Sequence, residues 1–189
     1  MTTEPNHTTA DSPPSAETPA LPHRAEVTDT AAALADRFAG LEPGTETGVR
    51  AAIAGRLMLR RVQGKLAFGT LADQTGRIQL FAPSQTTPDF ERFTALSLGD
   101  WISVTGEVMT TKRGELSVRV DDWTLLAPTR RSFPDKWHGI TDTDMRYRQR
   151  YVDLWVTDEA RAAFTNRSRI LSLTRRFMED RGYLEVETP

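Results

Sequence analysis

The chain has 189 residues, a formal net charge of −2 and 38% hydrophobic side chains, enough for a real core diluted by something polar. It has no cysteine, which excludes disulfides, zinc knuckles and thiol catalysis, and His7, His23 and His138 stand too far apart for metal-ligand spacing. No run approaches the ~18 apolar residues of a membrane span, and the start, MTTEPNHTTA, lacks the basic and apolar parts of a secretion signal, so a cytoplasmic protein is expected.

Residues 1–26 contain Pro5, Pro13, Pro14, Pro19 and Pro22 and almost no large apolar side chains. Such a stretch cannot bury enough surface to offset its ordering entropy, so a disordered tail is expected. Val27, Ala31, Leu34, Ala35 and Phe38 then recur at helical spacing, with Gly40 as a stop. Residues 41–48 read as a loop, so 27–48 form a helix and loop. The charge divides at this point. Residues 1–48 carry two arginines and eight acids, whereas 49–126 carry ten basic and eight acidic side chains and 127–189 carry twelve and ten. The region after the tail is therefore mildly basic, which suits a polyanion partner without requiring one.

Five short runs of alternating apolar and polar residues fill 49–126. In the first, Val49, Ala51, Ile53, Gly55, Leu57 and Leu59 share one face, and Arg50, Arg56, Met58 and Arg60 share the other. A turn around residues 62–65 leads to a second run, 66–73, with Ala67, Gly69 and Leu71 inward and Phe68, Thr70 and Ala72 outward. Gln74-Thr75-Gly76 makes a tight hairpin turn. The third run, 77–82, turns Ile78 and Leu80 inward and Arg77, Gln79 and Phe81 outward. Residues 89–98 have helical spacing and stop at Gly99. The fourth run, 101–111, hides Ile102, Val104, Gly106 and Val108. The fifth, 115–126, hides Leu116, Val118 and Val120 and shifts register near Asp122 and Trp123. Three strands, a short helix and two strands in this order predict a five-stranded OB-fold barrel, whose strand 2–3 face is the usual oligonucleotide platform.

Arg60, Phe68, Gln79 and Glu115 fall on the outward face, where a folded sheet needs neither ring nor guanidinium. A phenyl ring can stack on an unpaired base, and forked donors, an amide and a carboxylate can address its edge. An ordinary solvated face with a chance aromatic is the competing reading. The cluster Arg146, Tyr147, Arg148, Gln149, Arg150, Tyr151 mixes basic and aromatic side chains, suited to RNA or to packing. No phosphate loop, dinucleotide fingerprint, nucleophile elbow or zinc-protease motif occurs, so no catalytic residue and no metal site are assigned.

Residues 127–143 read as a linker with Pro128 and Pro134. From 144 a second domain is expected to begin. Residues 142–156 are expected to form one helix, and Thr157 to cap a longer one whose stripe includes Ala160, Ala163, Phe164, Ile170, Leu171, Phe177 and Met178. Gly182 ends it, and Tyr183–Thr188 reads as a strand with no partner downstream. Residues 144–189 thus read as the opening of a larger domain.

GRLMLRRVQGKLAFGTLADQTGRIQLF (55–81), TKRGELSVRV (111–120), FPDKWHGITDTDMRYRQRYVDL (133–154) and RGYLEVETP (181–189) closely resemble the N-terminal part of class II lysyl-tRNA synthetases. The run RYRQRYVDL marks the lysine enzymes, whereas the aspartyl and asparaginyl enzymes share the barrel but differ there. The resemblance covers essentially 49–189. It implies a mainly β OB-fold anticodon-binding domain followed by the first helices of an α+β catalytic domain. It implies that Arg60, Phe68, Gln79 and Glu115 contact anticodon bases of lysine tRNA, the ring stacking on the central uridine. Residues 158–189 resemble the family's motif 1, which implies a homodimer interface carried by Phe164, Ile170, Leu171, Phe177 and Pro189. ATP and magnesium are implied for the full-length enzyme, through motifs that would follow residue 189, so this chain alone is expected to be inactive. A stand-alone OB-fold module binding single-stranded nucleic acid is the alternative.

Overall fold

A computed structural model describes residues 21–130 and 140–188. Most of the expected tail, much of the linker and Pro189 lie outside the described residues. The chain divides into two compact units, residues 1–129 and 130–189.

In the first unit, helix α1 (Ala31–Arg37) precedes strands β1 (Glu46–Gln63), β2 (Leu66–Ala72) and β3 (Arg77–Pro83). Helix α2 (Phe90–Ala95) follows, then β4 (Trp101–Thr110), β5 (Leu116–Arg119) and β6 (Asp122–Ala127). The strand order β1-β2-β3-β5-β4, with β1 also paired to β4, closes a five-stranded ring, and β6 extends it beyond β4. Closure leaves no free edge among the five. The pairing β3–β5 is parallel and the others are antiparallel.

One strand serves two neighbours because β1 is long and bent. Its first part pairs with β4 and its second with β2, and the register shifts between Leu57 and Leu59. The bend needs a residue without Cβ at Gly55, where an added Cβ would stand 2.4 Å from the Ala72 carbonyl oxygen. Gly106 on β4 is more tightly bound to its place, since a Cβ there would lie 1.5 Å from the Arg119 oxygen.

Alternation fills the interior. Ile53, Leu57, Leu71, Leu80, Ile102, Val104, Val108, Val118 and Val120 are all buried, joined by Leu34 of α1 and Phe93 of α2. Helix α1 is anchored by the β2–β3 turn. Asp73 accepts from Ala31 N (2.7 Å), Thr75 Oγ accepts from Ala32 N (3.0 Å), and Thr30 caps Ala33 N. These satisfy donors that a helix start leaves open.

The alternation of β1 differs from expectation at both ends. Leu59 and Val49 are exposed, at 41% and 40%. The bulge after Leu57 inserts a residue, and each side chain beyond it changes face. The fifth run is also divided. Val120 N donates to the Phe81 carbonyl, and the chain then leaves β3 to pair with β4 as β6.

The second unit holds α3 (Thr143–Arg148), α4 (Arg150–Val156) and α5 (Asp158–Glu179). The single helix expected over 142–156 is interrupted at Gln149, whose backbone (φ −112°, ψ 49°) is not helical. The break accompanies convergence on Asp153. This fully buried carboxylate accepts from Arg146 Nε (2.8 Å), from Arg150 and from Thr157 Oγ (2.9 Å). Thr157 is therefore engaged with Asp153 and makes no side-chain cap on α5. Residues 183–188 form no strand. An isolated extended segment without a ladder partner has nothing to hold it as one. Phe164, Ile170, Leu171 and Phe177 on α5 are 40–62% exposed.

Candidate nucleic-acid interface

The outward faces of β1, β2, β3 and β5 carry two rows of side chains. The first runs Arg61–Phe68–Phe81 in direct cross-strand register. The second runs Thr70–Gln79–Ser117. Phe68 and Phe81 meet edge to face with centroids 5.6 Å apart, a favourable quadrupole arrangement. The Arg61 guanidinium lies 5.2 Å from the Phe68 centroid.

Arg61, Phe68, Phe81 and Gln79 of these rows line a groove of about 760 Å³. Leu66, Phe68, Phe81 and Met109 give it an apolar base. The turn between β4 and β5 brings Lys112, Arg113 and Glu115 to the groove, and Glu46 and Gln63 also line it. That turn is fixed by Thr111, whose N–H donates to the Glu115 carbonyl (3.0 Å) and whose carbonyl accepts from Gly114 N (2.8 Å). Gly114 sits at φ 82°, a left-handed conformation that glycine adopts without cost.

A polar chain crosses the groove. Ser117 Oγ donates to Gln79 Oε1 (2.8 Å), and Gln79 Nε2 donates to Glu115 Oε2 (2.7 Å). Ser117 is fully buried, Gln79 is partly covered and Glu115 is exposed.

Three of the four expected base-contacting residues, Phe68, Gln79 and Glu115, are thus together at the groove. Arg60 is not. It pairs with Gly69, which faces the interior, and its guanidinium donates to the Leu96 carbonyl after α2. The β1 bulge turns Arg61 to the groove in its place. Counting back from the two-residue turn at Gly64 and Lys65 finds this directly, because a tight turn pairs Gln63 with Leu66 and Arg61 with Phe68. Counting forward through an unseen bulge does not. Phe81, Lys112 and Arg113 are further groove residues outside the expected set, and Ser117, fully buried, supports Gln79 without lining the groove.

Arg119, next in register after Phe81, is not a lining residue of the groove and bridges Glu107 (2.8 Å), Asp121 (3.1 Å) and the groove residue Glu46 (3.7 Å). Its hydrogen bond to Asp121 and the surrounding acids raise its already high pKa. This cation is committed to the barrel wall. Among the described residues no group of three His, Asp or Glu could hold a metal ion, and no helix is long and apolar enough to cross a membrane.

Residues 51–126 match the family of OB-fold nucleic acid binding domains, and residues 142–189 match the class II tRNA synthetases of the D, K and N group. Among curated relatives, a lysine–tRNA ligase of Parasynechococcus marenigrum (strain WH8102) is 48% identical over 170 residues, covering 87% of this chain and 34% of the relative. A lysine–tRNA ligase of Synechococcus sp. (strain RCC307) is 48% identical over 168 residues, with 88% and 34% covered. One from Prochlorococcus marinus (strain MIT 9313) is 45% identical over 177 residues, with 88% and 35% covered. The chain spans about a third of the length of the curated relatives it matches.

Proposed function

This chain belongs to the class II lysine–tRNA ligase family, and on that premise we propose that its barrel binds the anticodon loop of lysine tRNA. The observation that carries the proposal is the groove in which Phe68, Arg61, Gln79 and Glu115 converge over an apolar floor.

Each residue has a role set by its chemistry. An unstacked base meets the Phe68 ring with a guanidinium beside it, and both are stacking surfaces. Gln79 and Glu115 offer a donor and an acceptor to the base edge. Lys112 and Arg113 at the rim supply cations for the phosphates on either side. Recognition of this kind needs unpaired, splayed bases, which a loop provides and a duplex does not.

The whole protein activates lysine with ATP and magnesium, transfers it to lysine tRNA, and works in the cytoplasm as a homodimer. The exposed α5 face with Phe164, Ile170, Leu171 and Phe177 supports the dimer part of this reading. The class II segment at 142–189 favours this reading over a stand-alone single-strand-binding module.

Titration of the chain with a lysine anticodon stem-loop, beside ATP and a stem-loop with a replaced anticodon, tests the proposal. Preference for the lysine anticodon is expected. Tight ATP binding without RNA binding would overturn it.

A further inference from the structure

Helix α5 has two faces. Phe164, Ile170, Leu171 and Phe177 lie on the apolar one. Thr165, Ser168, Arg169, Ser172 and Arg176 share another, at the spacing of three and four residues that makes neighbours on a helix surface. We propose that this second face is a phosphate-binding surface for RNA, outside the barrel, that meets tRNA beyond its anticodon arm. This rests on the tRNA-binding reading above and adds a second place at which the RNA is held.

The sign of the charge is the first argument. Residues 160–178 include Arg161, Arg167, Arg169, Arg175 and Arg176 and no acid. Arg161 and Arg175 are paired, with Asp158 and Glu185. Among the described residues Arg169 and Arg176 make no ion pair. A helix face that meets only water intersperses both signs, because like charges one turn apart destabilise the helix. Here cations of one sign stand exposed on one face, which gains when a polyanion covers it.

The hydroxyls are the second. Thr174 turns its hydroxyl back on the Ile170 carbonyl (2.9 Å), a common arrangement inside a helix. Among the described residues the hydroxyls of Thr165, Ser168 and Ser172 make no such bond and stand exposed beside the two arginines. Guanidinium and hydroxyl donors together are the set that contacts phosphate oxygens.

Spacing selects the polymer. Arg169 and Arg176 are seven residues apart, about 10.5 Å along the helix axis. A small free anion needs donors that converge on one point, whereas cations strung along an axis address separate phosphates of one strand. A protein partner would bury an apolar centre, and the one large apolar side chain on this face is Leu173. The face carries no amide or carboxylate to read a base edge, so the contact is with the backbone and independent of sequence.

The test is binding of the full chain, over a range of salt, to a whole lysine tRNA transcript and to the anticodon stem-loop cut from it. Wild type should bind the whole tRNA more tightly and with the steeper salt dependence. Arg169→Gln combined with Arg176→Gln should weaken tRNA binding about threefold or more and lower the salt slope by about two, with stem-loop binding unchanged. Arg169→Lys combined with Arg176→Lys keeps the charge and should retain most of both. Unaltered tRNA binding by the glutamine variant would overturn the inference and leave anticodon binding intact, as would a whole tRNA that wild type holds no better than the stem-loop. Equal losses on both RNAs would also overturn it, because the substitutions would then act through the fold. A change in sedimentation of the free chain, with tRNA binding unaltered, would assign the face to a second copy instead. Wild type that binds neither RNA would overturn both readings.

Discussion

The Arg61 guanidinium stands 5.2 Å from the centre of the Phe68 ring, directly across the β1–β2 ladder. Its neighbour Arg60 points away and donates to the Leu96 carbonyl. Two adjacent arginines on one strand therefore have separate tasks. Arg61→Gln should weaken stem-loop binding by roughly 1–3 kcal/mol, the range for a charge-assisted contact, with little effect on folding. Arg60→Gln should leave binding nearly unchanged. Paired titrations of the two variants check this, and the reverse order would show that the register assignment does not govern function.

Phe68→Ala should reduce RNA binding by roughly 1–3 kcal/mol through lost stacking. It should also cost about 1 kcal/mol of stability, because the edge-to-face contact with Phe81 goes with it. Leu71→Ala, three residues along β2 and buried, should cost roughly 2–5 kcal/mol of stability. Thermal unfolding and RNA titration of both variants separate the two faces of the strand.

Gly106→Ala should abolish the folded barrel or force β4 and β5 apart. Its Cβ would overlap the Arg119 carbonyl oxygen at 1.5 Å, and that atom is backbone and cannot swing aside. Ordinary overpacking costs about 1–3 kcal/mol, and this contact should exceed that range. Circular dichroism of the purified variant is sufficient to see it.

Asp73 should make the barrel unit sensitive to acid. Burial pushes its carboxyl up, but hydrogen bonds from Ala31 N, the Thr75 hydroxyl and N–H, and Gly76 N together hold it below its ordinary value. A carboxylate whose folded pKa is lowered stabilises the fold above its unfolded value, about 3.9. That contribution is lost as pH falls through the folded value. Asp73→Asn removes the charge and one of the two accepting oxygens and should cost about 1 kcal/mol at neutral pH, and the gap to wild type should close below about pH 4. Denaturant titrations at several pH values test the sign, since a gap that widened in acid would contradict it.

The inward faces were legible because a period of two over short runs admits little else once one side is buried. Leu57, Leu71, Leu80, Ile102, Val104, Val108 and Val118 are all inside. The groove was legible for the same reason at Phe68 and Gln79, which lie on the short strands β2 and β3. Counting forward misplaces Arg60, because one extra residue after Leu57 inverts parity, whereas the Gly64-Lys65 turn carries the observed register of Arg61 with Phe68. Gln149 was hidden for another reason. The pull of a buried Asp153 on Arg146 and Arg150 is tertiary, and helical spacing over 142–156 carries no sign of it. Ser117 was hidden because a lone serine in a strand has no signal until its neighbours across two ladders are known.

The claim that the groove holds an anticodon base is tested most directly by position. A lysine anticodon stem-loop carrying 4-thiouridine at the central anticodon position can be photo-crosslinked to the chain and the adduct mapped by mass spectrometry. An adduct is expected on groove residues of β1–β3 or the β4–β5 turn, centred on Phe68, and it should be lost in Phe68→Ala. Adducts confined to residues 143–181, with none in the barrel, would contradict it.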